Sequence, residues 1–264
     1  MIQATFHYMA AMDERPYYYL CRPPESEPPT NVDVERIVVD VHDARTLRET
    51  PSLDREGFTL VDHRTGVDDL LDHDRIRRDY YPEMEALVAD ATGAARVVAF
   101  DHNVRRGDVD RETTELRAPV PLVHNDYTVA SGPQRVRDLL PGDADALLAG
   151  RFAVINVWKP VVGPVESMPL AVCEATSMTQ DDFVETELRY SDRTGEIYSV
   201  THRPEHRWHY YPAMSATEAL LLKCYDSDPA VARFTAHSAF VDPGSPADAP
   251  PRQSVEVRTL AFFS

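Results

Sequence analysis

Pro119-Val120-Pro121-Leu122-Val123-His124-Asn125-Asp126-Tyr127 is the stretch on which the reading of this chain turns. Its first half is apolar, and residues 120–127 read as a strand. Side chains two apart on a strand share a face, so His124 and Asp126 can reach one ligand while Asn125 points away. An imidazole and a carboxylate so placed are two of the three ligands of a 2-His-1-carboxylate iron site. Such a site holds Fe(II) from one side and leaves the other side open for a chelating cosubstrate and oxygen. The triplet alone is weak. Ten histidines beside 44 acidic residues in 264 give roughly one or two His-x-Asp/Glu triplets by chance. The strand setting carries more than the letters do.

Outward from this stretch, short β-prone runs alternate with turn residues. Past residue 95 the candidate strands are 96–103, 120–127, 152–158, 170–176, 184–190, 196–201, 208–214, 219–225, 233–240 and 254–263. Many short strands with Pro-rich turns favour a sandwich, barrel or jelly roll over an alternating α/β fold. Residues 133–140 read as a short helix stopped by Pro141-Gly142, and 242–251 as a loop followed by a strand. Earlier, 16–22, 36–41 and 58–63 read as strands. Between 68 and 93, Leu70, Leu71, Ile76, Tyr80, Met84, Leu87 and Val88 recur at helical spacing. Gly93 is a natural stop, and Pro82 predicts a kink or break. The expected organisation is an N-terminal part, 1–94, of strands and a helix packing on a catalytic core, 95–264, within one structural domain.

The chain has 264 residues, 43% of them hydrophobic, enough for a core without staples. A net charge of −17 repels phosphate backbones and anionic lipid, so neither nucleic acid nor membrane is an expected partner. Cys21, Cys173 and Cys224 are odd in number and contain no CxxC pair, which argues against a disulfide framework and a zinc ribbon. Buried free thiols in a reducing compartment are the expectation. The first twenty residues lack a basic n-region and a continuous apolar h-region, and no stretch has the length of a membrane span. A cytoplasmic location is expected. There is no HExxH, no GxSxG and no phosphate-binding glycine loop.

Two further features extend the site. His237 lies in the run 233–240 with aromatics near both ends, where a lone histidine is more often a hydrogen-bonded core residue than a ligand. Further on, alternation along 252–258 puts Arg252, Ser254, Glu256 and Arg258 on one face and Val255 and Val257 on the other. Arginine and serine on one strand face can bind a carboxylate, because a guanidinium offers a bidentate fork. An exposed polar face with Glu256 paired to an arginine is the commoner outcome of such a pattern. His202, His206 and His209 form a second cluster, but Pro204 interrupts it and a polar surface is the simpler reading. Asp101-His102 reads as a buried hydrogen-bonded pair rather than a partner of the metal ligands. Tyr127, Trp158, Tyr190, Trp208, Tyr210 and Tyr211 are candidates for a substrate pocket, most of them core.

The order His124-x-Asp126, His237, Arg252-x-Ser254 resembles that of the iron(II)/2-oxoglutarate-dependent oxygenases. Longer stretches resemble one branch, the AsaB-type hydroxylase/desaturase family, which includes the cephamycin 7α-hydroxylation protein. They are Val97–Arg105, Val123–Thr128, Asn156–Pro160, Trp208–Met214, Leu221–Ser227 and Pro251–Arg258, spread over residues 95–263. The resemblance implies a double-stranded β-helix, or jelly roll, with the two histidine strands adjacent. It implies Fe(II) on His124, Asp126 and His237, with O2 and the cosubstrate 2-oxoglutarate. Arg252 and Ser254 would hold the cosubstrate's distal carboxylate, with Arg258 the competitor for that role. It implies hydroxylation or desaturation of a small molecule, a secondary metabolite, with release of succinate and CO2. One departure stands in Cys173-Glu174-Ala175-Thr176-Ser177, where Glu174 replaces an expected aspartate. Two other classes stay open at this stage: a non-catalytic jelly-roll binding protein, and a cupin-type metal-dependent hydrolase or isomerase. Neither substrate nor oligomeric state follows from the sequence.

Overall fold

A computed structural model describes residues 1–107 and 118–264. Among them, fourteen strands form two sheets. The larger runs in the order β1 (Ile2–Met9), β3 (Val34–Asp43), β11 (Trp208–Tyr210), β8 (Leu170–Cys173), β13 (His237–Ala239), β6 (His124–Asn125), β10 (Thr194–Val200), β9 (Phe183–Arg189) and β2 (Tyr17–Tyr19). The smaller runs β4 (Phe58–Asp62), β12 (Glu218–Asp226), β7 (Phe152–Pro160), β14 (Gln253–Phe262) and β5 (Arg96–Arg106). The architecture is mainly β and jelly-roll-like, as the strand pattern indicated.

Burial explains which runs became long strands. β7 is central in the smaller sheet and covered on both faces, so all nine of its residues are buried. Its partner β14 pairs with β7 on one side and β5 on the other. Trp158, Tyr198, Leu220, Leu260 and Phe262 belong to one buried cluster. Ile155, Val157, Leu221, Val255 and Val257 form a second with Ile76, Tyr80, Met84 and Val88 of the helical segment. Those last four are fully buried, which contributes roughly 6–12 kcal/mol by area. Val255 and Val257 therefore do lie opposite the polar face of β14.

Several expected strands shortened. Within 120–127 only His124–Asn125 forms a strand, with Leu122 in an isolated bridge to His7, because Pro119 and Pro121 have no N–H for the ladder. Only His237–Ala239 pairs within 233–240, and residues 170–176 end as a strand at Cys173, before the 3-10 turn Ala175–Ser177. The helix expected over 68–93 begins as a turn at His73–Arg75, widens to a π-turn over Ile76–Tyr80, and continues as the α-helix Tyr81–Thr92. Pro82 sits in the first turn of that α-helix, where its missing N–H is harmless; the irregularity lies just before it. Gly93 closes the helix in the left-handed region at φ 71. The later helix spans Ser131–Leu139.

One strand was missed altogether. In β1, Ala4, Phe6 and Tyr8 are buried at period two and join Val41, Val123, Trp208 and Phe240 in a third cluster. All three cysteines are free; Cys173 and Cys224 are buried and Cys21 is partly exposed. Among the described residues, no helix is long and apolar enough to cross a membrane.

Candidate iron and cosubstrate site

β13 and β6 are neighbours, and His237 stands directly opposite His124 in their register. The ring centroids are 4.4 Å apart. One ligand atom from each of His124, Asp126 and His237 falls within 4.8 Å of the others. Each imidazole is held in the same way. His124 Nδ1 donates to the Leu122 carbonyl at 2.8 Å and His237 Nδ1 to the Thr235 carbonyl at 2.9 Å. That fixes the tautomer and leaves both Nε2 lone pairs for a metal. Burial, with His237 close by, pushes His124 down to about 4; burial lowers His237 as well. Both rings are neutral near pH 7, the state a metal requires.

The carboxylate is oriented just as firmly. Asp126 Oδ2 accepts from Asn156 Nδ2 at 2.7 Å and from Arg258 Nε at 3.0 Å. Oδ1 lies 3.6 Å from His124 Nε2. Burial alone would raise this carboxyl, but Arg258 and the two imidazoles hold it well below the usual range. Arg258 also reaches Asp101 Oδ2 at 2.8 Å and Glu256 Oε1 at 3.4 Å. It is thus engaged by three carboxylates. Asn125, behind the ligand strand, is buried. It donates to the carbonyls of Tyr127 and Cys224 at 2.7 and 2.8 Å and accepts from Thr235 N at 3.2 Å. One amide thereby ties both histidine-bearing segments to β12 of the facing sheet.

Arg252 and Ser254 are buried at the start of β14, with Ser254 opposite Arg105 of β5. The Arg252 guanidinium lies 5.4 Å from the Trp158 ring and donates Nη1 to the Met168 carbonyl. Its Nε and the Ser254 hydroxyl are buried without a hydrogen-bond partner among the described residues. Burial, with Arg105 near, depresses Arg252 to about 9. A buried cation and a hydroxyl with unmet hydrogen bonds fit an incoming carboxylate. Arg252 lines a small cavity together with His124, His237, Trp158 and Glu256. Its clear space is about 20 Å³, room for one water, so a five-carbon dicarboxylate must displace side chains to occupy it.

Other sequence candidates lie elsewhere. His206 and His209 are buried rather than on a polar surface: β1 covers His206, with Tyr8 Oη 3.1 Å from His206 Nδ1 and accepting from Trp208 Nε1 at 2.6 Å, and His209 packs near His42 and Phe58. His206 pairs with Asp182 and His209 with Glu174, so the cluster does not converge on one point. Glu174 is also held by Arg207 at 2.8 Å. Asp101 accepts from His102 N at 2.9 Å, but the pair is not buried as expected. Asp101 is exposed and bound to Arg258, whereas His102 contacts His73 and Tyr81. Of the six pocket aromatics, Trp158 is the one on the small cavity, and Tyr190 is only half-buried. Sequence reasoning missed Asn156 and gave Arg258 a different role. The available signals were a buried asparagine in the mostly apolar β7 and an arginine on the polar face of β14.

Comparison with known proteins agrees with this geometry. Residues 6–262 match the family described as "Oxidoreductase/YMDC permease-like domain". The Fe(II)/2-oxoglutarate-dependent dioxygenase nvfI of Aspergillus novofumigatus is 32% identical over 255 residues, 93% of this chain and 90% of the relative. The hydroxylase/desaturase efuI of Hormonema carpetanum is 33% identical over 251 residues, 85% of this chain and 83% of the relative. The solved structure of the iron and alpha-ketoglutarate-dependent endoperoxidase NvfI superposes with a TM-score of 0.89 at 29% identity, over 99% of this chain and 98% of that one. The jelly roll with its two imidazoles and one carboxylate places the protein among non-haem iron oxygenases. The chain belongs to the Fe(II)/2-oxoglutarate-dependent dioxygenase family, whose members require Fe(II), 2-oxoglutarate and O2.

Proposed function

We propose that this dioxygenase hydroxylates or desaturates a small secondary metabolite and belongs to the AsaB-type hydroxylase/desaturase branch. Two relatives bearing the name hydroxylase/desaturase, at 33% and 31% identity, support that reading. In the proposed assignment His124, Asp126 and His237 hold Fe(II), and Arg252 with Ser254 holds the distal carboxylate of 2-oxoglutarate. The observation that carries it is the buried Arg252, whose Nε has no hydrogen-bond partner among the described residues, in one cavity with His124 and His237, whose ligand atoms lie within 4.8 Å of each other and of Asp126. Iron with 2-oxoglutarate and O2 supplies the oxidant for an unactivated C–H bond, yielding succinate and CO2.

The chain's own residues prepare that chemistry. Burial keeps the imidazoles neutral, and the Leu122 and Thr235 carbonyls fix their tautomer and orientation. Asn156 and Arg258 occupy Oδ2 of Asp126, so that Oδ1 is the oxygen left for the metal. Trp158 backs the Arg252 guanidinium and keeps water from its face. Arg258 spans 2.8 Å to Asp101 and 3.0 Å to Asp126, and so is occupied away from the cosubstrate. Residues 1–94 and 95–264 are proposed to act as one domain, since β4 completes the sheet of β12 and β7 while β1 and β3 extend the other. A cytoplasmic location is part of the proposal, supported by three free cysteines.

The test is succinate release from 2-oxoglutarate by the purified chain with Fe(II) and O2. Turnover is expected in the wild type and absent in His124→Ala. Full turnover in that variant would remove the assignment.

A further inference from the structure

A second, larger cavity of about 590 Å³ opens beside the edge strand β5 and the turn that precedes the helix Tyr81–Thr92. That volume suits a small organic molecule. We propose that it is where the oxidisable substrate sits, and that it selects an uncharged, oxygenated compound whose carbonyl or hydroxyl oxygen accepts from Asn103. The inference rests on the oxygenase reading above.

Position comes first. Asn103 of β5 stands opposite Glu256 of β14, and Asp101 stands opposite Arg258. Glu256 lines the cavity of His124 and His237, and Arg258 holds Asp126. Directly opposed residues on antiparallel strands have Cα atoms about 4.5–5.5 Å apart. The larger cavity is therefore one cross-strand pair away from Glu256 and Arg258, the residues that border the proposed metal ligands.

Chemistry selects the ligand. The polar groups of this wall are already committed to one another. Asp72 accepts from Asp74 N and Arg75 N at 2.9 and 3.1 Å. Asp74 pairs with Arg77 at 3.2 Å and Asp101 with Arg258 at 2.8 Å. His102 lies 2.6 Å from His73 and 2.8 Å from the Tyr81 hydroxyl. No carboxylate here lacks a cation or a pair of N–H donors, which leaves little to attract a charged amine. An anion would meet three carboxylates and is disfavoured as well. The exception is Asn103. The residue is 6% exposed, it lines the cavity, and its Nδ2 has no hydrogen-bond partner among the described residues. A buried amide donor without an acceptor is unfavourable, and a ligand oxygen removes the defect. The rings of Phe100 and Tyr81 offer flat apolar walls for the carbon skeleton.

Three bicyclic probes of similar shape test this: 2-decalone, decalin-2-carboxylate and 2-decalylammonium. Each is titrated by NMR into the full chain, anaerobically, with and without Fe(II) and 2-oxoglutarate. The ketone is expected to bind at least about tenfold more tightly than either charged probe. Asn103→Leu and the near-isosteric Asn103→Asp should each weaken the ketone about five- to tenfold, the loss of one hydrogen bond. Ketone affinity that is unaltered in both Asn103 variants overturns the proposal, as does tighter binding of a charged probe. Binding of 2-oxoglutarate to the same sample reads the oxygenase assignment separately. A chain that binds the ketone through Asn103 but not the cosubstrate refutes that assignment and not the selectivity of the cavity.

Discussion

Replacing Arg252 with methionine separates a cosubstrate anchor from a structural arginine, because the two roles predict opposite effects on stability and affinity. The guanidinium is buried, its Nε is unpartnered, and its pKa is depressed from 12.5 to about 9, chiefly by burial. At about 1.4 kcal/mol per unit, the charge destabilises the cosubstrate-free fold by at most about 5 kcal/mol. Opposing this are one hydrogen bond to the Met168 carbonyl and the contact with Trp158, together about 1–2 kcal/mol. Arg252→Met should therefore leave the free protein as stable as the wild type, or more so. Its effect on 2-oxoglutarate should be large. Removing one partner of a buried charge pair costs about 2–5 kcal/mol, at least a 30-fold rise in Kd. The sign with pH follows. Between about 9 and 12.5 the unfolded chain holds the proton that the folded one releases, so wild-type stability gains on Arg252→Met as pH climbs through that window. Urea unfolding with and without saturating 2-oxoglutarate reads both effects, since a ligand stabilises only what binds it. A variant that loses several kcal/mol in the free state and keeps its cosubstrate affinity within about threefold would refute the reasoning.

Further outcomes follow from the same geometry. Asn156→Leu and Arg258→Lys loosen the grip on Asp126 Oδ2 and should weaken Fe(II) binding about 10- to 100-fold in anaerobic titration, with Asn156→Asp no substitute for the lost donor. His124 and His237 are buried neutral, with pKa values lowered by burial, to about 4 for His124. Unfolded histidine binds protons first on acidification, so stability should fall as pH drops from about 6.5 to 4, and His124→Gln should flatten that slope in urea melts. Calorimetry in two buffers should find little proton release from the imidazoles when Fe(II) binds at pH 7. Gly57 has φ 86, and a Cβ there would lie 2.2 Å from Thr235 Oγ1. Gly57→Ala should cost about 2–4 kcal/mol and also weaken iron, because the Thr235 carbonyl holds His237; an unchanged melting temperature would contradict this.

The fold class was legible because turn residues punctuate short β-prone runs, and those runs recur in the structure near their expected positions. What failed was extent. Proline around His124 and the side-chain-bonded loop before His237 cut two eight-residue expectations to strands of two and three residues. β1 was overlooked although Ala4, Phe6 and Tyr8 alternate, and with it the burial of His206. At the site, alternation put Arg252, Ser254, Glu256 and Arg258 on one face correctly, but a strand pattern does not say which partner each finds. Arg258 turns to Asp126 and Asp101 because the ligand loop and the β5 edge bring carboxylates there. Asn156, thirty residues from Asp126 in sequence, carries no local signal of their contact. Pairings across two sheets depend on register, and a single sequence leaves register open.

The account rests on one ferrous ion shared by His124, Asp126 and His237. Crystals grown anaerobically with Fe(II) and 2-oxoglutarate, with anomalous data collected at the iron edge, test it most directly. The expected map has a single iron peak about 2.0–2.2 Å from His124 Nε2, His237 Nε2 and Asp126 Oδ1, with the distal carboxylate on Arg252 and Ser254. An ion bound away from His237, or a distal carboxylate on Arg258, contradicts it.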